Sequence, residues 1–168
     1  MSIGGEIQNR VAEGRLFYVR PRAPGAAERR VMLVSEWLNE LLESDVVADV
    51  ERIARLEAQL SHFVEGGVVD PSYIRRLRKP AHALFEIRSR RPRPSIRVFG
   101  RFADKDVFIS LNAALRAPLG GRGSRPWRDE IVRSHVLWHQ LFPTYDALDG
   151  QSLHELISEN AYDRHELG

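Results

Sequence analysis

Residues Leu84 to Arg116, LFEIRSRRPRPSIRVFGRFADKDVFISLNAALR, constrain the fold more than any other stretch of the chain. In Leu84–Ser89, Leu84, Glu86 and Arg88 share one face and Phe85 and Ile87 the other. In Ser95–Phe102, Ile96 and Val98 oppose Arg97, Phe99 and Arg101. Asp106–Leu111 is shorter and turns Val107, Ile109 and Leu111 one way. This period-two alternation of β-branched and aromatic residues predicts three strands in tandem. Arg90–Pro94 and Ala103–Lys105 are the expected turns, since proline is excluded from a central strand. Arg88, Arg97 and Arg101 then gather on the polar side of a rigid sheet, where guanidinium forks build an anion site without a glycine-rich loop.

The flanking sequence changes period. Ser35 is an expected N-cap for a helix over Glu36–Glu43, with Trp37, Leu38, Leu41 and Leu42 as its stripe. Asp45 is the expected cap of a second helix running to Val64, with Val46, Val50, Ile53, Leu60 and Val64 buried and Gly66–Gly67 as its stop. Two such helices make an αα-hairpin. Asp70-Pro71 reads as a further cap, starting a helical turn through Arg76. Trp127–Phe142 reads as a helix with Pro126 in its first turn and Pro143 ending it. Residues 1–14 read as a loose arm, Leu16–Arg20 as a possible first strand, and Arg29–Val34 as extended chain or a helix entry. Ala117–Arg125 reads as a flexible loop, and Ser152–Asn160 as a short helix before a ragged acidic tail. The expectation is an α+β domain over residues 35–142: a helical hairpin packed on a small antiparallel sheet, with an extra C-terminal helix. An arm with a possible first strand (1–34) precedes it and an extension (143–168) follows.

Charge is distributed unevenly. From Arg75 to Lys105 there are eleven Lys or Arg against two acids, while residues 1–74 and 106–168 are both net acidic. A basic centre between acidic flanks points to a focused anion surface. The absence of cysteine excludes disulfides, thiolate metal sites and cysteine nucleophiles. No apolar run approaches the ~20 residues of a membrane span, and MSIGGEIQNR has no apolar signal core. The expectation is a cytoplasmic protein without a membrane partner.

His135 and His139 stand i, i+4, but the sequence between them, HVLWH, lacks the glutamate of a zinc-protease helix. They read as interfacial histidines beside Trp138, and no metal or cofactor is expected. GGRG at Gly120–Gly123 lacks the lysine and preceding strand of a phosphate loop, and Ser134 and Ser152 have no nucleophile-elbow context. The basic sheet is therefore the candidate site. Its bland reading is charge on exposed strand edges guarding against aggregation. Its functional reading is a polyanion site of phosphate-directed arginines.

The order of helix, helix, basic turn and three antiparallel strands resembles the RelE/ParE/HigB superfamily of toxin-like proteins. The matching residues are the hairpin Trp37–Val64, Leu77 in its basic segment, Leu84-Phe85-Glu86-Ile87-Arg88, Ile96-Arg97-Val98 and Val107–Leu111. Leu115-Arg116 and Pro126–Val132 stand where the family has a basic pair and a helix near a proline. The resemblance implies a toxin of a toxin–antitoxin system, a ribosome-dependent mRNA endonuclease with mRNA, the ribosome and a cognate antitoxin as partners. It implies Arg88, Arg97 and Arg116 as the catalytic phosphate-gripping residues. Arg75, Arg76, Arg78, Lys79, Arg90, Arg91 and Arg101 are the expected nucleic-acid-binding residues around them. The alternative is a non-catalytic binding module on the same fold, a gyrase-directed inhibitor or a phage-derived interaction protein. Where HigB-like sequences carry a histidine and paired lysines, this chain has Asn112 and a single Arg116, so no proton-transfer residue is visible there.

Overall fold

A computed structural model describes residues 2–44, 49–78 and 81–166. In chain order these form α1 (Ile3–Ala12), β1 (Leu16–Tyr18), β2 (Val31–Ser35), α2 (Glu36–Leu42), α3 (Val50–Val64), β3 (Ile74–Arg76) and β4 (Phe85–Arg88). Then follow β5 (Ile96–Asp104), β6 (Val107–Leu115), α4 (Arg116–Leu119) and α5 (Arg125–Leu141). The strands make one six-stranded sheet in the order β1-β2-β6-β5-β4-β3. Strands β4 to β6 pair antiparallel in sequence, as the alternation predicts, and β3 adds antiparallel to β4.

Both faces of the sheet are covered. The even face of β5, Ile96 and Val98, packs with Phe85, Ile87 and Ile74 beneath Leu56, Leu60 and Phe63 of α3. Phe102 meets Phe85 and Phe108 edge-on at 5.2 and 4.9 Å. Truncating such a ring to alanine costs about 3–5 kcal/mol through lost transfer energy and a cavity. On the other face, Trp138 and Leu141 of α5 and Ile7 of α1 cover Leu33, Ile109 and Leu111. Trp127, at the start of α5, joins Leu84, Phe99, Leu77 and Leu119. A bulge between Phe99 and Gly100 lets β5 press against β6. A Cβ at Gly100 would stand 2.3 Å from the Ile109 carbonyl oxygen, so only glycine fits there.

Ser35 caps α2 as expected, accepting from the Leu38 amide at 3.2 Å. Its hydroxyl also donates to the Leu111 carbonyl at 2.6 Å, tying the helix to β6. Ser124 caps α5, with proline in its first turn.

Several expectations are corrected. The sheet is larger than a small antiparallel one, because β1 and β2 join it and β2 runs parallel to β6. Residues 3–12 are helix α1 rather than a loose arm; its apolar Ile7 is buried, and Ser2 caps it. Helix α3 begins at Val50, which is exposed rather than buried; Asp45 and Val46 lie outside the described residues. Asp70 does accept from the Ser72 and Tyr73 amides at 2.7 and 3.1 Å, and its carbonyl accepts from the Tyr73 and Ile74 amides, but this single turn stops at Tyr73 instead of running to Arg76. Ile74–Arg76 pairs with β4 instead, a ladder between distant residues overriding a local turn signal. Ala117–Arg125 begins inside α4, which is anchored by buried Leu119. Ser152–Asn160 holds only the 3₁₀ turn Leu153–Glu155, and Leu153, Leu156 and Ile157 pack into the α3-side core. No helix among the described residues is long and apolar enough to cross a membrane.

Candidate nucleic-acid interface

Strand register lines up the central arginines. Arg75 pairs with Glu86, Arg88 with Arg97, and Arg97 with Ala114, two residues before Arg116. Paired residues share a face, as do alternate residues along a strand. Arg75, Arg88 and Arg97 therefore form a diagonal stripe over three strands on the α5 face, continued by Arg116 at the start of α4, whose amide donates to the Ser95 carbonyl at 2.7 Å. At about 4.8 Å between neighbouring strands, these three strands span roughly 10 Å of sheet.

One acid lies in this stripe. Glu86 is 1% exposed. Its Oε1 accepts from Arg88 Nε at 3.2 Å and Nη2 at 3.0 Å. Its Oε2 lies 3.7 Å from Arg97 Nε and has no hydrogen bond. Like charges directly opposite on a sheet repel, so Glu86 holds Arg88 and Arg97 together from below. The cations remain crowded. Burial is the main cause of a lowered Arg97 pKa, and Arg88, Arg116 and Arg90 lower it further against the pull of Glu86. Burial leads again at Arg75, followed by Arg122 and Arg88, with Glu86 opposing. Arginine nonetheless keeps its charge at neutral pH. The stripe is thus a cluster of fixed cations to which an anion adds a missing counter-charge.

Two hollows open along it. The first, about 780 Å³, is lined by Arg88, Arg90, Arg93, Arg97 and Arg116 with Pro94, Ser95 and Ala117. The second, about 540 Å³, lies between β3 and the start of α5 and adds Arg75, Arg76, Arg78, Arg122 and Arg128 around an apolar wall. Arg116 stacks over the Trp127 ring at 5.8 Å, with Arg116 in the first lining and Trp127 in the second.

The three residues expected to be catalytic, Arg88, Arg97 and Arg116, thus come together in the first hollow, with Arg90. Arg75, Arg76 and Arg78 line the second, where Arg76 is held by Asp149 at 2.7 Å. Arg91 points to a smaller hollow beside Arg55 and Gln59. Lys79 lies outside the described residues. Arg101 does not join the stripe. It is buried under α5, with its guanidinium donating to His135 Nδ1 and lying over the Trp138 ring at 5.9 Å. A guanidinium cannot accept a hydrogen bond, so His135 Nδ1 is unprotonated. Burial, then Arg101, hold the His135 pKa below its ordinary value. Asn112 is buried as well, donating to Glu130 Oε2 at 2.7 Å and accepting from Ser134 at 2.7 Å, which fastens α5 to β6.

The contributors missed in the sequence are Glu86, Arg93, Arg122, Arg128 and Trp127. Glu86 was legible as the polar-face neighbour of Arg88 two residues away. Arg122 and Arg128 belong to a different segment, and only the tertiary fold brings them to the sheet. Among the described residues, His154, Asp163 and Glu166 alone have ligand atoms close enough to hold a metal. Their acceptors are engaged: Asp163 takes the Leu153 amide at 3.0 Å, and Glu166 takes His154 Nε2 at 2.7 Å and the Asp163 amide at 2.7 Å. The group is a clasp on the C-terminal segment. Compared with known proteins, the chain matches no family model, no curated protein and no solved structure.

Proposed function

We propose that this protein binds single-stranded RNA through the arginine stripe and acts as a toxin-like, ribosome-dependent mRNA endonuclease in the cytoplasm, held in check by a cognate antitoxin. The observation that carries the reading is the placement of Arg75, Arg88 and Arg97 on one sheet face, continued by Arg116, with Glu86 as the single acid among them. Guanidinium forks there grip phosphate oxygens in paired hydrogen bonds. Arg88 and Arg97 are half-buried, and partial desolvation strengthens their pull on charge developing at a scissile phosphate. Glu86 positions them and, being buried, does not itself reach a substrate. The order of β2 to β6 is strand, two helices and four strands, one strand more after the helices than the RelE/ParE/HigB resemblance implies.

A second reading is binding without cleavage, on the same surface. One observation favours it: among the described residues, no histidine, tyrosine, lysine or carboxylate lines the first hollow. Cleavage there relies on charge stabilisation and positioning, with solvent carrying the proton. Induced expression in bacteria, with growth and translation followed and ribosome-bound mRNA mapped for breaks, separates the two. Arrested growth with new mRNA 5′ ends supports the nuclease. RNA binding without cleavage leaves the binding module, and no RNA binding overturns both.

A further inference from the structure

We propose that the second hollow is a nucleotide subsite, taking a base of a single-stranded nucleic acid against its apolar wall and the adjoining phosphate between Arg75, Arg122 and Arg128. The inference rests on the RNA reading of the stripe and extends it to residues outside the strands. Three observations converge. First, the hollow joins the two halves of a nucleotide: its wall is Leu77, Trp127, Ile131 and the exposed Val132, and its rim is arginine. Its volume of about 540 Å³ suits a small organic ligand. Second, its charge is uncompensated. Of its five arginines, only Arg76 is in ion-pair contact with a carboxylate among the described residues, Asp149. Third, the first turn of α5 holds no acid and carries Arg125 and Arg128, with Arg122 just before it. A helix N-terminus carries partial positive charge and favours acids, so arginines there add to a potential that an anion relieves.

The two hollows communicate. Arg75 of the second hollow is within electrostatic reach of Arg88 of the first, and Arg116 of the first hollow stacks on Trp127 of the second. A strand with one phosphate at Arg88 and Arg97 continues toward Arg75 and the α5 start. Its bases must be unstacked to reach the apolar wall, which is open to single strands and closed to a duplex.

The test is fluorescence anisotropy with labelled RNA and DNA single strands of two to eight nucleotides, on the parent and on an Arg122→Ala/Arg128→Ala variant. Both arginines are exposed, so the fold persists, as circular dichroism will verify. We expect affinity of the parent to climb with length. The variant should lose about tenfold or more of the long-strand affinity, with a shallower salt slope, while the shortest strand binds both alike. Parent and variant binding the long strand equally, with one salt slope, overturns the subsite and leaves the stripe intact. A parent that binds no strand of any length overturns the RNA reading and the subsite with it. Displacement of RNA by poly-glutamate of matched charge as readily as by unlabelled RNA also overturns it, because the hollow then recognises acidic chains rather than bases.

Discussion

Arg30 and Arg97 are both arginines withdrawn from solvent against the same sheet, yet they are held in opposite ways. Arg30 is 2% exposed and spends its donors on three backbone carbonyls: Phe63 at 3.1 Å, Gly67 at 2.9 Å and Glu159 at 2.8 Å. Its guanidinium lies over the Phe63 ring at 5.1 Å. Arg97 has one hydroxyl partner, Ser95 at 3.3 Å, a carboxylate at 3.7 Å, and arginines on its other sides. The first is a staple joining the end of α3 to the C-terminal segment. The second presents donors to an open hollow. Burial alone therefore does not tell a structural arginine from a binding one; where its donors end does.

Exchanging the two roles by mutation gives the largest effects. Arg30→Ala takes the side-chain donor from the Gly67 and Glu159 carbonyls, each worth roughly 1–3 kcal/mol, while the Phe63 carbonyl keeps the Gly66 amide at 3.1 Å. Urea unfolding should show a loss of about 4 kcal/mol, with RNA binding per folded molecule unchanged. Arg97→Ala should do the reverse: a stability near the parent's and a fall of about 10²–10³ in cleavage rate. Equal stability losses in the two variants would erase the distinction.

Glu86→Gln sharpens the same contrast. It keeps shape and hydrogen-bonding capacity but removes the charge that offsets Arg88 and Arg97. We expect a loss of about 2 kcal/mol, below the range for breaking a buried pair because the amide still accepts a bond. Added phosphate should restore part of that loss by supplying the missing anion. Restoration by chloride at equal ionic strength would indicate screening rather than binding. Smaller still, Asn112→Ala should cost about 1–2 kcal/mol by orphaning its partners on α5, read as a lower urea midpoint.

The smallest effect is a pH dependence at the α5 interface. Burial, then Arg101, then His139 and His82 lower the His135 pKa from its ordinary 6.5. The unfolded chain therefore binds that proton more readily than the folded one. Stability from this group is complete above pH 6.5 and falls as pH drops through 6.5 toward the lower folded value. Melting temperatures at pH 7.5 and 5.5 should show a drop that is smaller in His135→Gln. An identical drop in the variant would remove His135 as its cause.

The alternation from Leu84 to Leu111 made the central strands and their polar face readable, because strand faces follow from side-chain period alone. Ser35 was readable as a cap for a similarly local reason. Arg101 was read onto the polar face correctly, but which part of that face α5 covers depends on Trp138 and His135 arriving from 34 residues or more away. Strand β3 was hidden because its partner β4 lies beyond a turn, whereas Asp70-Pro71 announces a helix start locally. The acid that organises the site, Glu86, stood in plain view; its burial did not.

The central claim is that the stripe takes phosphates, and its most direct test is affinity for a single-stranded RNA as a function of salt. On logarithmic axes the parent should fall linearly, with a slope of about −0.7 for each phosphate engaged, and so near −3 for the four arginines of the stripe. Arg97→Ala should flatten that slope by about one phosphate's worth. A parent affinity that stays level as salt rises, or an Arg97→Ala line that overlays the parent's, would contradict the account.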